Sequence, residues 1–282
     1  VTTKVWDFSG GSLHGFRYTE AAGQRLVAMA LLNGNIGYQT ELTGPVAMAV
    51  VALFSAFLPY GAIGCMLGAV MLAHIYAVSM ETALITAVIL IILILLYYGF
   101  QPGDSFWLVL TPVAFLLKIP FAVPLLAGLS GSLLTVIPVG SGVVIAFIIS
   151  YVKQNAGLLT NDTSVDITQK FVQIIRNLLL NQEMMLMIMV CAVGILCVYL
   201  LHNMSLDYAW EIAIVTGTIA QLAAVFVGDF IFHVSMPVPK LLIGALISLA
   251  VALLYHFFVF TVDYTRTEYV QYEDDDYVYY VK

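Results

Sequence analysis

The sequence contains very little charge, since only 10% of its 282 residues are Asp, Glu, Lys or Arg, against roughly 25% in an ordinary soluble domain. Hydrophobic residues make up 62%, and the mean hydropathy is +1.00. No basic stripe is present, which argues against binding of nucleic acid. We therefore interpret the chain as a multi-pass protein of the cell membrane, whose first partner is the lipid bilayer.

Cysteine and recognisable catalytic groupings are also scarce. Cys65, Cys191 and Cys197 all lie in apolar segments, and their spacing fits neither a disulfide framework nor a zinc or haem site. No Ser/His/Asp set, nucleotide-binding glycine loop or pair of hydrolase carboxylates is visible. The sequence therefore predicts no enzyme, no cofactor and no metal site.

The apolar segments predict an all-α fold, a polytopic helical bundle in the membrane with about seven or eight apolar helices. In one interpretation, one of these helices is re-entrant. Residues 1–43 form an N-terminal flank, and 263–282 form an acidic tail. Between them, a polar loop at 153–182 separates two membrane helix groups, 44–152 and 183–262. Apolar helices are predicted at 44–58, 61–79, 80–98, 184–202, 208–227 and 240–260, in addition to the block from 105 to 152.

Two segments have the pattern of helices that lie at a membrane surface. In residues 18–32, Glu20, Gln24 and Arg25 lie on one side and small or apolar residues on the other. In residues 166–180, apolar side chains recur at helical spacing and polar ones lie elsewhere around the helix. We expect both to be amphipathic interfacial helices.

Helix-breaking residues are concentrated in one apolar stretch, 118–142, which holds three prolines, four glycines and Lys118. Because backbone groups in hydrocarbon must be hydrogen-bonded, an irregular backbone at membrane depth requires surrounding protein or a water-filled cavity. One reading is two crossings, 105–125 and 133–152, joined by a Gly/Ser turn. The other is a broken or re-entrant segment lining a cavity. The substrate or cavity candidates are His74, Lys118, Pro120, Pro124, Pro138 and Gly140.

Part of this stretch, Val123 to Gly142 (VPLLAGLSGSLLTVIPVGSG), resembles a short stretch of the AI-2E exporter family of bacterial membrane proteins. In that family an apolar Gly/Leu run is followed by Ile-Pro and glycines. The resemblance covers about twenty residues and does not extend to the arrangement of the other helices. It assigns no functional residue.

Positive charge provides a separate test of the number of crossings. Loops rich in Lys and Arg tend to stay cytoplasmic, and here they are the N-terminal flank and the 153–182 segment. An even number of crossings must then separate them, whereas five apolar helices are predicted between them. Either the block around Pro120 and Pro138 or the short 44–58 helix is therefore expected not to cross fully.

Several polar and small residues could serve contacts or chemistry. If helical, Asp229 and His233 would share a face, as a proton relay or metal pair would require, but we prefer to interpret them as interfacial side chains that reach water. Small residues at Gly64-x-x-x-Gly68 and Gly244-x-x-x-Ser248 predict close contacts between helices.

The C-terminal tail combines acidic residues with regularly placed tyrosines. Such a composition favours extended structure, and disordered tails are usually poor in aromatic residues. We expect a strand that pairs with another protein or another copy of the chain, rather than a solvated disordered tail. The residues expected to bind the partner are Tyr269, Tyr272, Tyr277, Tyr279 and Tyr280.

Two functions follow from these features. The first is a permease-type membrane subunit that handles a small or lipidic substrate through a cavity around 118–142. The alternative is a membrane scaffold, the anchor subunit of a larger complex, assembled through the amphipathic helices and the tail. Both predict a homo-oligomer or other protein subunits as partners.

Overall fold

The computed structural model describes residues 26–57, 60–100, 105–161, 167–204, 208–233, 237–261, 270–274 and 277–281. This part of the chain is almost entirely helical. The helices are α1 Leu26–Ile36, α2 Thr40–Thr43, α3 Pro45–Phe57, α4 Tyr60–Tyr76, α5 Met80–Phe100, α6 Ser105–Leu116, α7 Ala122–Ser130, α8 Val136–Asn161, α9 Ile167–Leu179, α10 Gln182–His202, α11 Ala209–Phe232 and α12 Val238–Tyr255. A 3-10 turn (Leu133–Thr135) precedes α8, and a π-helix (His256–Thr261) follows α12.

Five helices of the described residues, α5, α8, α10, α11 and α12, are long and apolar enough to cross a membrane. At a rise of about 1.5 Å per residue, a span needs roughly 20 residues. Helices α3, α4, α6 and α7 have only 13, 17, 12 and 9 residues. The structure therefore supports five candidate spans, fewer than the seven or eight apolar helices predicted, because counting apolar runs does not separate short helices from spanning ones.

The outer surface of the bundle is apolar, as lipid contact requires. On α5, Leu84, Val88 and Ile91 are each more than half exposed, whereas Ile89 and Leu90 of the same helix are buried. The buried residues of α5 pack in one core cluster with α4, α8 and α9.

Neighbouring long helices run in opposite directions. Gly194 and Val198 of α10 lie against Gln221 and Gly217 of α11, so residue numbers rise on one helix as they fall on the other. At one end of the bundle α5, α10 and α12 begin and α8 ends. All Lys and Arg residues of the described part of the chain lie at this end, which we call the lysine end: Lys118, Lys153, Lys170, Arg176 and Lys240.

Residues 105–135 form a helical hairpin, with α6 as its first arm and α7 as its second. Helix α6 runs along α8 toward the lysine end, since the Phe115 and Phe147 rings are 6.2 Å apart and Gly142 abuts Thr111. The chain turns at residues 117–121, and α7 returns along α10, where Gly128 meets Val198. The two arms therefore begin and end at the same end of the bundle, opposite the lysine end.

This hairpin differs from the reading of two crossings at 105–125 and 133–152. The first proposed crossing is interrupted at 117–121, and a second break separates α7 from α8 at residues 131–135. The Gly/Ser run does not form the main turn, because Gly128 lies inside α7 and allows it to approach α10 closely.

The predicted surface helix at 166–180 is present as α9. Its buried residues Ile174 and Leu178 join the core, while Val172 and Leu179 remain exposed. Lys170 lies 3.8 Å from a carboxylate oxygen of Glu81 at the start of α5. Of the other predicted surface helix, residues 18–25 lie outside the described residues, and the rest falls in α1.

Two short strands follow in the tail, β1 (Val270–Asp274) and β2 (Tyr277–Val281). They pair antiparallel with each other, and Tyr272 is opposite Tyr279. Tyr269 lies outside the described residues. Among the described residues, the two strands pair within the chain.

Candidate functional site

The tip of the hairpin is a specific helix-ending turn built around Lys118. The Ile119 N–H donates to the Ala114 carbonyl (2.9 Å), and the Lys118 N–H donates to the Phe115 carbonyl (3.0 Å). This is the hydrogen-bond pattern of a Schellman motif, whose left-handed residue is usually glycine. Here that residue is Lys118, with φ of 64°. Lys118 thus occupies a backbone position that glycine usually takes.

Beneath this tip lies an open cavity of about 400 Å³. Four parts of the chain line it: the hairpin tip, the second half of α8, the first turn of α10 and the first turns of α12. Its apolar lining includes Phe115, Phe121, Phe147, Met187, Leu241 and Gly244, and its polar lining includes Lys118, Ser150, Tyr151, Gln154, Asn181, Glu183 and Lys240.

The charges around the cavity are two ammonium groups, Lys118 and Lys240, and one carboxylate, Glu183. Among the described residues, neither of these lysines forms an ion pair, whereas Lys170 pairs with Glu81 and Lys153 donates to the Asn35 side chain (2.8 Å). Among the lysines of the described chain, Lys118 and Lys240 are therefore the two without an ion pair or a side-chain hydrogen bond.

Helix direction adds to this positive potential. Helices α7, α10 and α12 all begin at the cavity, and each helix N-terminus carries partial positive charge. The Asn181 side chain accepts the Met184 N–H of α10 (3.1 Å), but α12 has no side-chain cap. The arrangement can therefore accept an anionic group.

Two of the six predicted cavity residues, Lys118 and Pro120, line this cavity. Pro124 and Pro138 instead occupy the first turns of α7 and α8, where the missing N–H costs no helical hydrogen bond. Gly140 faces Ile188 of α10, since a Cβ there would lie 3.8 Å from the Ile188 methyl group. His74 lies away from the cavity, at the end of α4.

His74 belongs to a buried hydrogen-bond network. The Gln39 N–H donates to its Nδ1 (3.2 Å), and its Nε2 lies 2.9 Å from the Asn33 side-chain oxygen. Because Nδ1 accepts, the proton is on Nε2 and the ring is neutral. The Asn33 amide in turn donates to the Leu42 carbonyl (3.0 Å). The network joins α1, α2 and α4 at the lysine end.

We expect His74→Ala to destabilise the protein by about 1 to 3 kcal/mol, because it leaves the Gln39 N–H and the Asn33 carbonyl without partners in a buried site. The thermal unfolding midpoint of the purified protein measures this effect. His74→Gln can retain one of the two contacts and should lose less. An unchanged midpoint for His74→Ala would contradict this role.

The predicted pairing of Asp229 and His233 requires a correction. The helix predicted at 208–227 extends further than expected, because α11 continues to Phe232 with Gly228 packed on Leu186. Asp229 lies in the last turn, and His233 follows the helix in a left-handed conformation with φ of 53°. The two residues therefore do not share a helix face, and these two described side chains form no ion pair.

Three of the four predicted helix-contact residues lie where helices meet. A Cβ at Gly64 would lie 2.9 Å from Leu108 of α6, and one at Gly68 would lie 3.6 Å from Leu90 of α5. A Cβ at Gly244 would lie 3.7 Å from the Lys118 carbonyl oxygen, which places α12 directly against the hairpin tip. Ser248 is fully buried in α12.

The sequence did not identify Gln154, Asn181, Glu183 or Lys240 as residues of the site. These residues come from three helices that are far apart in sequence. The sequence around each residue has the pattern of an ordinary helix end. Within the described residues, no three His, Cys, Asp or Glu side chains are placed to hold a metal ion.

No protein-family model, curated protein or solved structure matches this chain. The resemblance of Val123–Gly142 to exporters therefore stays confined to that stretch. Function has to be inferred from the cavity itself.

Proposed function

We propose that this chain is a permease-type membrane protein that handles a small or lipidic substrate through the cavity below the hairpin. The observation that supports the proposal most strongly is the open cavity of about 400 Å³, with both apolar and charged walls, at the tip of a helical hairpin. Such broken helices are characteristic of transporters, where irregular backbone lines a substrate cavity.

In this proposal the hairpin is re-entrant, since its arms begin and end at the end of the bundle opposite the lysine end. It then contributes no net crossing between the N-terminal flank and α9. This fits the observation that Asn35 of the flank and Lys153 meet through a hydrogen bond. By the positive-inside tendency, the lysine end faces the cytoplasm of a cell membrane.

A permease must expose its cavity to both sides of the membrane in turn. In a variant with Cys65, Cys191 and Cys197 replaced by Ala, Gln154→Cys places one thiol in the cavity. We expect a membrane-impermeant maleimide to modify it from the lysine end and, more slowly, from the opposite side, in proteoliposomes of known orientation.

The matched control is Lys153→Cys, the neighbouring residue of α8, which is exposed and outside the cavity. It should react from the lysine end alone. If Gln154→Cys also reacted from the lysine end alone, the permease proposal would fail.

The scaffold function remains a second proposal, because of the tail. A two-stranded hairpin is marginally stable by itself, and the pairing of β1 with β2 leaves an outer edge on each strand among the described strands. Addition of a partner strand to such an edge is a common mode of protein recognition.

Deletion of residues 264–282 tests the scaffold. The native mass of the complex, extracted gently from its membrane, should fall if the tail binds another protein or another copy. An unaltered mass would eliminate the tail as an assembly element.

A further inference from the structure

We infer that the ligand of the cavity is an anionic amphiphile, with a phosphate or carboxylate head held by Lys118 and Lys240 and an apolar part held by the aromatic wall. This inference rests on the proposed function, because it concerns the same cavity. It specifies the chemical class of substrate that the cavity selects.

Charge determines the head group. Lys118 and Lys240 lie on different elements, the hairpin tip and the first turn of α12, and both line the cavity. The N-termini of α7, α10 and α12 are directed at the same space, and each contributes partial positive charge there. Glu183 is the one carboxylate in the lining, so the cavity retains an excess of positive charge.

The hairpin tip presents its lysine from a rigid turn. The Schellman hydrogen bonds hold Ile119 against Ala114, and both residues belong to one core cluster with α8 and α10. The close approach of Gly244 brings α12, and with it Lys240, next to the Lys118 backbone. The two lysines thus line one opening from neighbouring elements.

The apolar part of the ligand follows from the rest of the lining. Phe115 and Phe147 stack edge to face at 6.2 Å, and Met187 and Leu241 continue the apolar surface. A free inorganic anion would leave this surface unused. An amphiphile buries its apolar part there, which adds a favourable hydrophobic contribution, while its head reaches the lysines.

Binding to the purified full chain tests this directly, by native mass spectrometry with dioleoyl phosphatidic acid and, separately, dioleoyl phosphatidylcholine. We expect one phosphatidic acid to bind at least about tenfold more tightly than phosphatidylcholine. A lost charge-assisted contact of about 1.4 kcal/mol corresponds to tenfold, so Lys240→Gln and Lys118→Gly should each weaken phosphatidic acid binding about five- to tenfold. Glu183→Gln should strengthen it by roughly two- to fivefold, because a like charge is removed.

Lys153→Gln is the matched control, since it removes the same charge from the same end of the bundle outside the cavity, and it should leave phosphatidic acid binding unchanged. Millimolar inorganic phosphate should not displace the lipid. Equal binding of the two lipids, equal weakening by Lys153→Gln and Lys240→Gln, or displacement by phosphate would each overturn the inference.

The lipid-binding experiment tests the ligand class and the maleimide experiment tests transport, so either proposal can fail without the other. Reaction of Gln154→Cys from both sides without a preference for phosphatidic acid would overturn the ligand class and leave the permease proposal standing. A preference for phosphatidic acid that depends on Lys118 and Lys240, with reaction from one side alone, would support the anionic site and overturn transport.

Discussion

Gly128→Ala is expected to destabilise the protein by about 1 to 3 kcal/mol, because a methyl group at this position overpacks the contact between α7 and α10. A Cβ there would lie 2.6 Å from the Val198 Cβ and 3.1 Å from the Ile195 carbonyl oxygen. Val198 is completely buried, and no change of rotamer moves its Cβ away from the added methyl group. The thermal unfolding midpoint of the purified protein should fall by several degrees.

The chain offers both a control and a rescue for this substitution. Gly157 lies in α8 with no atom within 4 Å of an added Cβ, so Gly157→Ala should be neutral or stabilising by about 0.5 to 1 kcal/mol. Val198→Gly removes the Cβ that the new methyl group would meet, so Gly128→Ala should cost less in that background. Equal destabilisation by Gly128→Ala and Gly157→Ala would show that the hairpin does not pack on α10 as described.

Lys118→Gly is expected to separate stability from function. Glycine adopts the left-handed conformation without steric cost, so relief of the φ of 64° at this position should leave the unfolding free energy unchanged or raise it by about 1 kcal/mol. Phosphatidic acid binding should weaken about five- to tenfold, because the ammonium group is removed from the cavity. Thermal unfolding and phosphatidic acid binding, measured on the same preparation, give the two readings.

Lys118→Ala provides the comparison, since alanine loses the charge but keeps the strain of a left-handed residue. It should bind the lipid as weakly as Lys118→Gly and unfold at a lower temperature. Retention of normal binding by Lys118→Gly would contradict a role for the ammonium group. A large fall in its unfolding temperature would contradict the Schellman turn.

Much of the fold could be predicted from the sequence, because apolar runs and turn residues mark helix ends. The 80–98 and 184–202 helices fall within two residues of α5 and α10 at each end. The number of spans was less predictable, since α6 is as apolar as its neighbours but has 12 residues. The length of α6 depends on where the chain turns, and the turn at 117–121 contains no glycine.

The site was harder to predict than the fold. The cluster of prolines located the irregular backbone, but Pro124 and Pro138 start helices rather than break them. The break occurs beside Lys118, in a turn that glycine would normally mark. The partners of His74 are 35 and 41 residues away, and Lys240 lies more than a hundred residues from the hairpin. These contacts depend on tertiary packing, which local sequence patterns do not encode.

The most direct test of the proposal is the sidedness of the hairpin, because the cavity requires its tip to reach the lysine end. In the cysteine-free variant, Leu117→Cys places a thiol at the tip and Leu134→Cys places one beside the start of α8, and both positions are about half exposed. An impermeant maleimide should modify Leu117→Cys from the same side as Lys153→Cys, and Leu134→Cys from the other side. Reaction of Leu117→Cys and Leu134→Cys from one common side would contradict the hairpin and the cavity beneath it.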